Sequence, residues 1–183
     1  MFVKILIGLA VLVGLFLIVV ATRPSAFRIT RKATIAAPVS AIFAEVNDFH
    51  KWVAWSPFEK FDPAAKKTYE GPTSGVGAIY RWAGNSQAGE GSSTITESRP
   101  NELVRMKLEF LKPFKATNTA EFTFEPSGDQ TVVTWSMSGN NNFMAKAFGL
   151  IMNCDKMVGS QFEEGLANLR TLVERTPAIA QAR

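Results

Sequence analysis

Apolar residues recur along this chain with three different spacings, and the changes between them divide it. Residues 2 to 21, FVKILIGLAVLVGLFLIVVA, form an almost unbroken apolar run with one charge, Lys4. A helix rises about 1.5 Å per residue, so roughly 20 residues cross a hydrocarbon layer about 30 Å thick. A helix apolar on every side is tolerated by a membrane or a deep core. Thr22, Arg23 and Pro24 end the run. The pattern predicts a transmembrane anchor over 2–22 and a short linker over 23–25. A cleaved signal peptide is the rival reading, with Lys4 as its charged start and Val19-Val20-Ala21 before the cut. The length of the run and the abutting Arg23 favour the anchor. Lys4 lies on one side and Arg23, Arg28, Arg31 and Lys32 on the other, which leaves the side of the membrane open.

Period 2 begins next. Ala26 to Ala37 sets Phe27, Ile29, Ala33 and Ile35 against Arg28, Thr30, Lys32 and Thr34, the signature of a half-buried strand. Pro38 suits a first helical turn, and Val39, Ile42, Phe43 and Val46 follow at helical spacing to about Asn47. Phe49 to Trp55 reads as a second short helix or turn, closed by Ser56-Pro57. Six strands are then predicted: Lys67 to Glu70, Ala78 to Ala83, Gly89 to Ser98, Leu103 to Leu111, Ala116 to Glu125 and Thr131 to Ser138. Gly, Pro and Asn turns separate them at intervals that argue for an antiparallel meander. Strand parity puts Val104, Met106, Leu108 and Phe110 on the inner face, with Ala120, Phe122 and Phe124, then Val133, Trp135 and Met137. The opposite faces are polar, so one side of the sheet is wet.

From Asn142 to about Arg175 the period becomes 3.6. Phe143, Met144, Phe148, Ile151, Val158, Phe162, Leu166, Leu169 and Val173 fall on one arc, with Asn140 to Asn142 as caps. Gly159, followed by Ser160 and Glu163 in capping-box spacing, predicts a kink or restart there. The expected domain covers 26–176, with a flexible tail over 177–183. The fold class is α+β, a curved antiparallel sheet of about seven strands wrapped around a long C-terminal helix. Such a sheet leaves a gap beneath the helix that side chains need not fill.

Composition narrows the chemistry. Beyond the run, 19 basic residues stand against 16 acidic ones, too small an excess to argue for nucleic acid. One cysteine, Cys154, and one histidine, His50, exclude an intrachain disulfide and the usual zinc sets. No phosphate-binding glycine loop or nucleophile elbow is present. No cofactor is expected.

Four segments resemble a known family: Ile35 to Phe58 (IAAPVSAIFAEVNDFHKWVAWSPF), Gly75 to Trp82 (GVGAIYRW), Thr131 to Gly139 (TVVTWSMSG) and Met157 to Leu169 (MVGSQFEEGLANL). The chain is similar to the START / polyketide-cyclase superfamily with the helix-grip fold. More narrowly it resembles membrane-anchored bacterial SRPBCC, polyketide cyclase/dehydrase-like proteins. The resemblance implies a cavity for a hydrophobic small molecule and implies no particular reaction. Its members include lipid and sterol carriers, hormone and allergen-type binders, aromatase/cyclases and quinone-binding proteins.

The candidate ligand-binding residues are Trp52, Trp55, Trp82, Met106, Phe122, Trp135, Met137, Ile151, Asp155 and Phe162. Each aromatic among them competes with plain core packing. Asp155 falls inside the apolar arc, where it is either a ligand or acid/base group or the partner of a salt bridge. Asp155 and Glu90 are the weak catalytic candidates. Glu97 falls beside Ile95 by parity unless a bulge intervenes. His50 reads as a surface group and Cys154 as a small buried hydrophobe. Three functions follow: a carrier of a lipid, isoprenoid or quinone-like molecule beside membrane lipids, a cyclase/dehydratase-like enzyme, or a partner-binding membrane module. A cavity under the last helix separates the first two from the third. An ionisable group inside it is what the enzyme needs.

Overall fold

The structure, a computed structural model, describes residues 2–180. Helix α1 (Phe2–Thr22) is long and apolar enough to cross a membrane. After it come β1 (Ala26–Ile35), α2 (Val39–Val46) and two 3-10 turns, Phe49–Ala54 and Pro57–Phe61. Strands β2 (Lys66–Glu70), β3 (Ile79–Ala83), β4 (Glu90–Arg99), β5 (Leu103–Lys112), β6 (Ala116–Ser127) and β7 (Gln130–Asn140) follow, then α3 (Phe143–Ile151) and α4 (Cys154–Ala180). The strands form one antiparallel sheet in the order β1-β7-β6-β5-β4-β3-β2. Every neighbour after β1 is a hairpin partner, because each turn is short and rich in Gly, Pro or Asn. The architecture is the helix-grip fold, with α4 packed on the concave face.

The inner face follows parity. Val104, Met106, Ala120, Phe122, Phe124, Val133, Trp135 and Met137 are all buried, together with Phe162, Leu166, Leu169 and Val173 of α4. On the wet face, Arg105 of β5 bonds both Glu97 of β4 and Glu121 of β6 (2.9 Å to Glu121 Oε2). Glu97 reaches that face through a bulge: Ile95 pairs with Met106, but Glu97 pairs with the next residue, Arg105. The extra residue, Thr96, turns both itself and Glu97 outward.

The last helices differ from expectation. The break falls at Met152-Asn153, not at Gly159. Met152 is extended (φ −114°, ψ 131°), and the Asn153 side chain caps α4 by accepting from the Lys156 N–H (2.9 Å). Ser160 and Glu163 make no capping box. The Ser160 hydroxyl donates to the Met157 carbonyl (2.9 Å), and Glu163 accepts from Arg31 (2.6 Å). Gly159 is small for another reason: a Cβ there would strike the Arg31 guanidinium, which reaches from β1 across α4. The glycine marks a close approach rather than a stop. Because the axis turns at Met152, α3 leaves the arc of α4. None of its residues is buried, and it lies against α1 instead of the sheet. Helix α4 runs to Ala180, so residues 177–180 of the expected tail are helical; 181–183 lie outside the described residues.

Candidate functional site

Between α4 and the sheet lies a cavity of about 290 Å³. Its floor is built from inward-facing strand residues, Met106, Ala120, Trp135 and Met137, and Phe162 of α4 closes it above. Ser93, buried at 4% exposure, contributes a small side chain on β4. Gly91, two residues earlier on the same face, allows Trp82 of β3 to lie against the sheet, since a Cβ on Gly91 would meet that ring. The Trp82 indole N–H donates to the Ala88 carbonyl (3.1 Å), which holds the ring in place. Trp52 likewise donates to the Val46 carbonyl (2.9 Å) and lines the cavity from the first 3-10 turn.

The aromatic rings form two groups. Phe122, Trp135 and Phe162 stack in a column, with centroids 4.6 and 4.2 Å apart, and Trp55 meets Trp135 and Phe122 nearly edge-on. Such pairs add roughly 0.5–1.5 kcal/mol each beyond area burial. Tyr69, Tyr80 and Trp82 make a second stacked series along the β2–β3 side, with spacings of 5.5 and 5.7 Å. Trp135 and Phe162 of the first group and Tyr80 and Trp82 of the second line the cavity.

One corner is polar. Glu59, from the second 3-10 turn, accepts from Lys67 Nζ of β2 and, at 3.3 Å, from the Tyr80 hydroxyl of β3. The side chains of the ion pair are only 18% and 19% exposed, and all three residues line the cavity. Burial, with the nearby Glu59 charge second, pushes the Tyr80 hydroxyl far above its ordinary value. Tyr80 therefore stays protonated and can donate. Nothing in the spacing of Glu59, Lys67 and Tyr80 signals this cluster, because it joins a 3-10 turn to the edge strand β2 and its neighbour β3.

The candidates named from the sequence divide accordingly. Trp52, Trp82, Met106, Trp135, Met137 and Phe162 line the cavity. Trp55 and Phe122 do not: both are fully buried behind it as core aromatics. Ile151 is 83% exposed on α3, outside the grip, because of the turn at Met152. Asp155 is also outside. It is ion-paired with Arg31 (3.0 Å), its side chain is 61% exposed, and the hydrogen bond from that arginine holds its carboxyl below the usual range. Glu90 pairs with Lys112 (2.7 Å) at the sheet end and does not line the cavity. Cys154 is exposed rather than buried, since it opens α4 beyond the sheet. His50 stacks on Tyr69 (4.1 Å) at the surface beside Asp48.

A grip of sheet around helix with a partly open, mostly apolar cavity is a fold with the potential to bind a small molecule. Residues 26–174 match the family of polyketide cyclase / dehydrase and lipid transport proteins, and the chain belongs to that family. No curated protein sequence matches. Among solved structures, protein CV1439 from Chromobacterium violaceum is similar at 15% identity and TM-score 0.58, over 83% of this chain and 99% of that one. The di-domain ARO/CYC StfQ from the steffimycin biosynthetic pathway is similar at 9% identity and TM-score 0.61, over 84% of this chain and 52% of that one. The Aha1 dimer from Colwellia psychrerythraea is similar at 18% identity and TM-score 0.55, over 81% and 96%. At these identities the likeness is one of fold.

Proposed function

We propose that the domain binds a hydrophobic small molecule with one polar group, and that α1 tethers it to a membrane. The observation that carries this reading is the cavity under α4: apolar floor, aromatic side and a hydrogen-bonded polar corner at Glu59, Lys67 and Tyr80. Its size limits the occupant. At about 30 Å³ per water-sized unit, a space of this volume takes on the order of ten non-hydrogen atoms. That suits a ring system of quinone type or a short isoprenoid stretch entering polar end first. The ammonium of Lys67 and the hydroxyl of Tyr80 suit a carbonyl or hydroxyl on the occupant.

The cyclase/dehydratase alternative no longer rests on Asp155 or Glu90. It moves to Glu59, the one carboxylate that combines cavity position with a neighbouring hydroxyl. One experiment separates these readings. Full-length protein taken from membranes in mild detergent is expected to carry a small apolar mass in native mass spectrometry. Ala120→Leu, which fills the floor, is expected to lose it while keeping its circular dichroism. A chain that is empty from every preparation overturns the proposal. Occupants of equal mass in the parent and in Glu59→Gln support carriage, and a shifted mass supports chemistry at Glu59.

A further inference from the structure

Helix α3 is a mostly apolar helix that touches α1 and buries none of its residues. Its sequence, FMAKAFGLI, contains no acid. Phe143, Met144, Phe148 and Ile151 are between 45% and 83% exposed, and Met152 and Met157 extend the same surface. The β5–β6 loop adds Phe114, 65% exposed, whose ring lies 6.4 Å from that of Phe148. A contiguous apolar patch of this extent on a soluble protein marks a contact surface. Its charged residues are Lys115, Lys146 and Lys156, none with an acidic partner among the described residues. The one acid in the segment, Asp155, is tied to Arg31.

Register locates this patch. Residues Ala26, Asn140, Ala116, Lys112, Glu90, Ala83 and Lys66 all fall at one end of the sheet, since the antiparallel pairs align them. That end carries α1, α3 and the β5–β6 loop. The cavity lies toward it as well. Its rim is formed by partly exposed residues near that end, among them Gln87 and Ala88 of the β3–β4 loop, Phe110 near the end of β5 and Val158 near the start of α4. Residues at the far end of the strands, such as Val104, Phe124 and Val133, are packed solid.

We infer that α3 and the β5–β6 loop form an apron that beds into the surface of a lipid bilayer, so that the cavity mouth opens onto the lipid. The inference rests on α1 being a membrane span. The occupant of the apron is the bilayer rather than a protein, because α3 continues the surface of α1, which it contacts, and because Lys115, Lys146 and Lys156 beside the apolar face have no acidic partner among the described residues, while the nearby acids Asp155 and Glu90 are each already paired with a cation. Apolar residues beside cations fit the boundary between acyl chains and anionic headgroups. A domain held this way takes an apolar ligand from the membrane without passing it through water.

The test uses the full chain in nanodiscs containing phosphatidylserine, in a Cys154→Ser background. Single nitroxide labels are placed at Gly14→Cys in α1, at Ile151→Cys in α3 and at Asp129→Cys at the opposite end of the sheet. Relaxation by oxygen, concentrated in lipid, is compared with relaxation by a water-soluble nickel chelate. The oxygen-to-nickel ratio at position 151 is expected to be several-fold higher than at 129, and highest at 14. A lipid-like label at 14 with a water-like one at 151 overturns the apron and leaves the anchor standing. A water-like label at 14 overturns both. A label at 151 shielded from both reagents means that a protein surface covers α3, and the apron fails.

Discussion

At the scale of single residues, the chemistry of the cavity rests on side chains that pattern reading passes over. Glu59, Lys67 and Tyr80 meet because the sheet edge folds over a 3-10 turn, and neither period 2 nor period 3.6 links them. Asp155 shows the converse. Its place on the helical arc was visible, but its partner, Arg31, comes from the first strand and holds it in solvent. The chain has two tyrosines, and burial, followed by the Glu59 charge, raises both hydroxyls. An unfolded tyrosine ionises near about pH 10. Folded protein thus keeps phenolic protons that the unfolded chain releases, so this contribution is intact below about pH 10 and is lost as pH rises further. Ultraviolet titration is expected to show neither tyrosine at its ordinary value, with Tyr80 ionising only as circular dichroism reports unfolding. A full tyrosinate signal near the ordinary value in folded protein contradicts the polar corner.

At the scale of elements, the seven strands were legible because turn residues punctuate them and parity holds over most of their length, with irregularities in the β4–β5 pairing at Glu90/Gly91 and at Thr96. There a bulge, which parity alone cannot place, moves Glu97 to the wet face. The helical region was legible in period and wrong in phase. A glycine within a helical pattern reads as a break, yet Gly159 makes room for an arginine and Gly165 for a tryptophan. The two glycines predict opposite outcomes. A Cβ at Gly165 would sit 2.7 Å from the Trp135 ring and 2.8 Å from Pro57, both rigid, so Gly165→Ala is expected to destabilise by about 1–3 kcal/mol through overpacking. At Gly159 the obstacle is the far end of a flexible arginine engaged in exposed ion pairs, which contribute little. Helix propensity favours alanine by up to about 1 kcal/mol, so Gly159→Ala is expected to leave stability unchanged or slightly raised. Urea denaturation of both variants checks the pair; equal losses refute the distinction.

At the scale of the whole molecule, the proposed occupant of the cavity links binding to stability. A ligand at about a hundred times its dissociation constant adds about 2.7 kcal/mol. For a domain of this size each kcal/mol moves the melting temperature by about 2–4 °C. Stripping the bound molecule with detergent and apolar resin is therefore expected to lower the melting temperature by roughly 5–11 °C, and adding the recovered extract is expected to restore it. Calorimetry showing no difference counts against an occupant that belongs to the cavity. Sequence alone determined the apolar N-terminal run, the meander, the buried face of the later strands and the family, because these depend on local periodicity and on turns that neighbouring residues dictate. The tertiary structure alone decided the turn at Met152, the partners of Asp155, the polar corner and the exposure of α3. Each of those depends on residues far apart in the chain meeting across the sheet, and no local spacing encodes such a meeting.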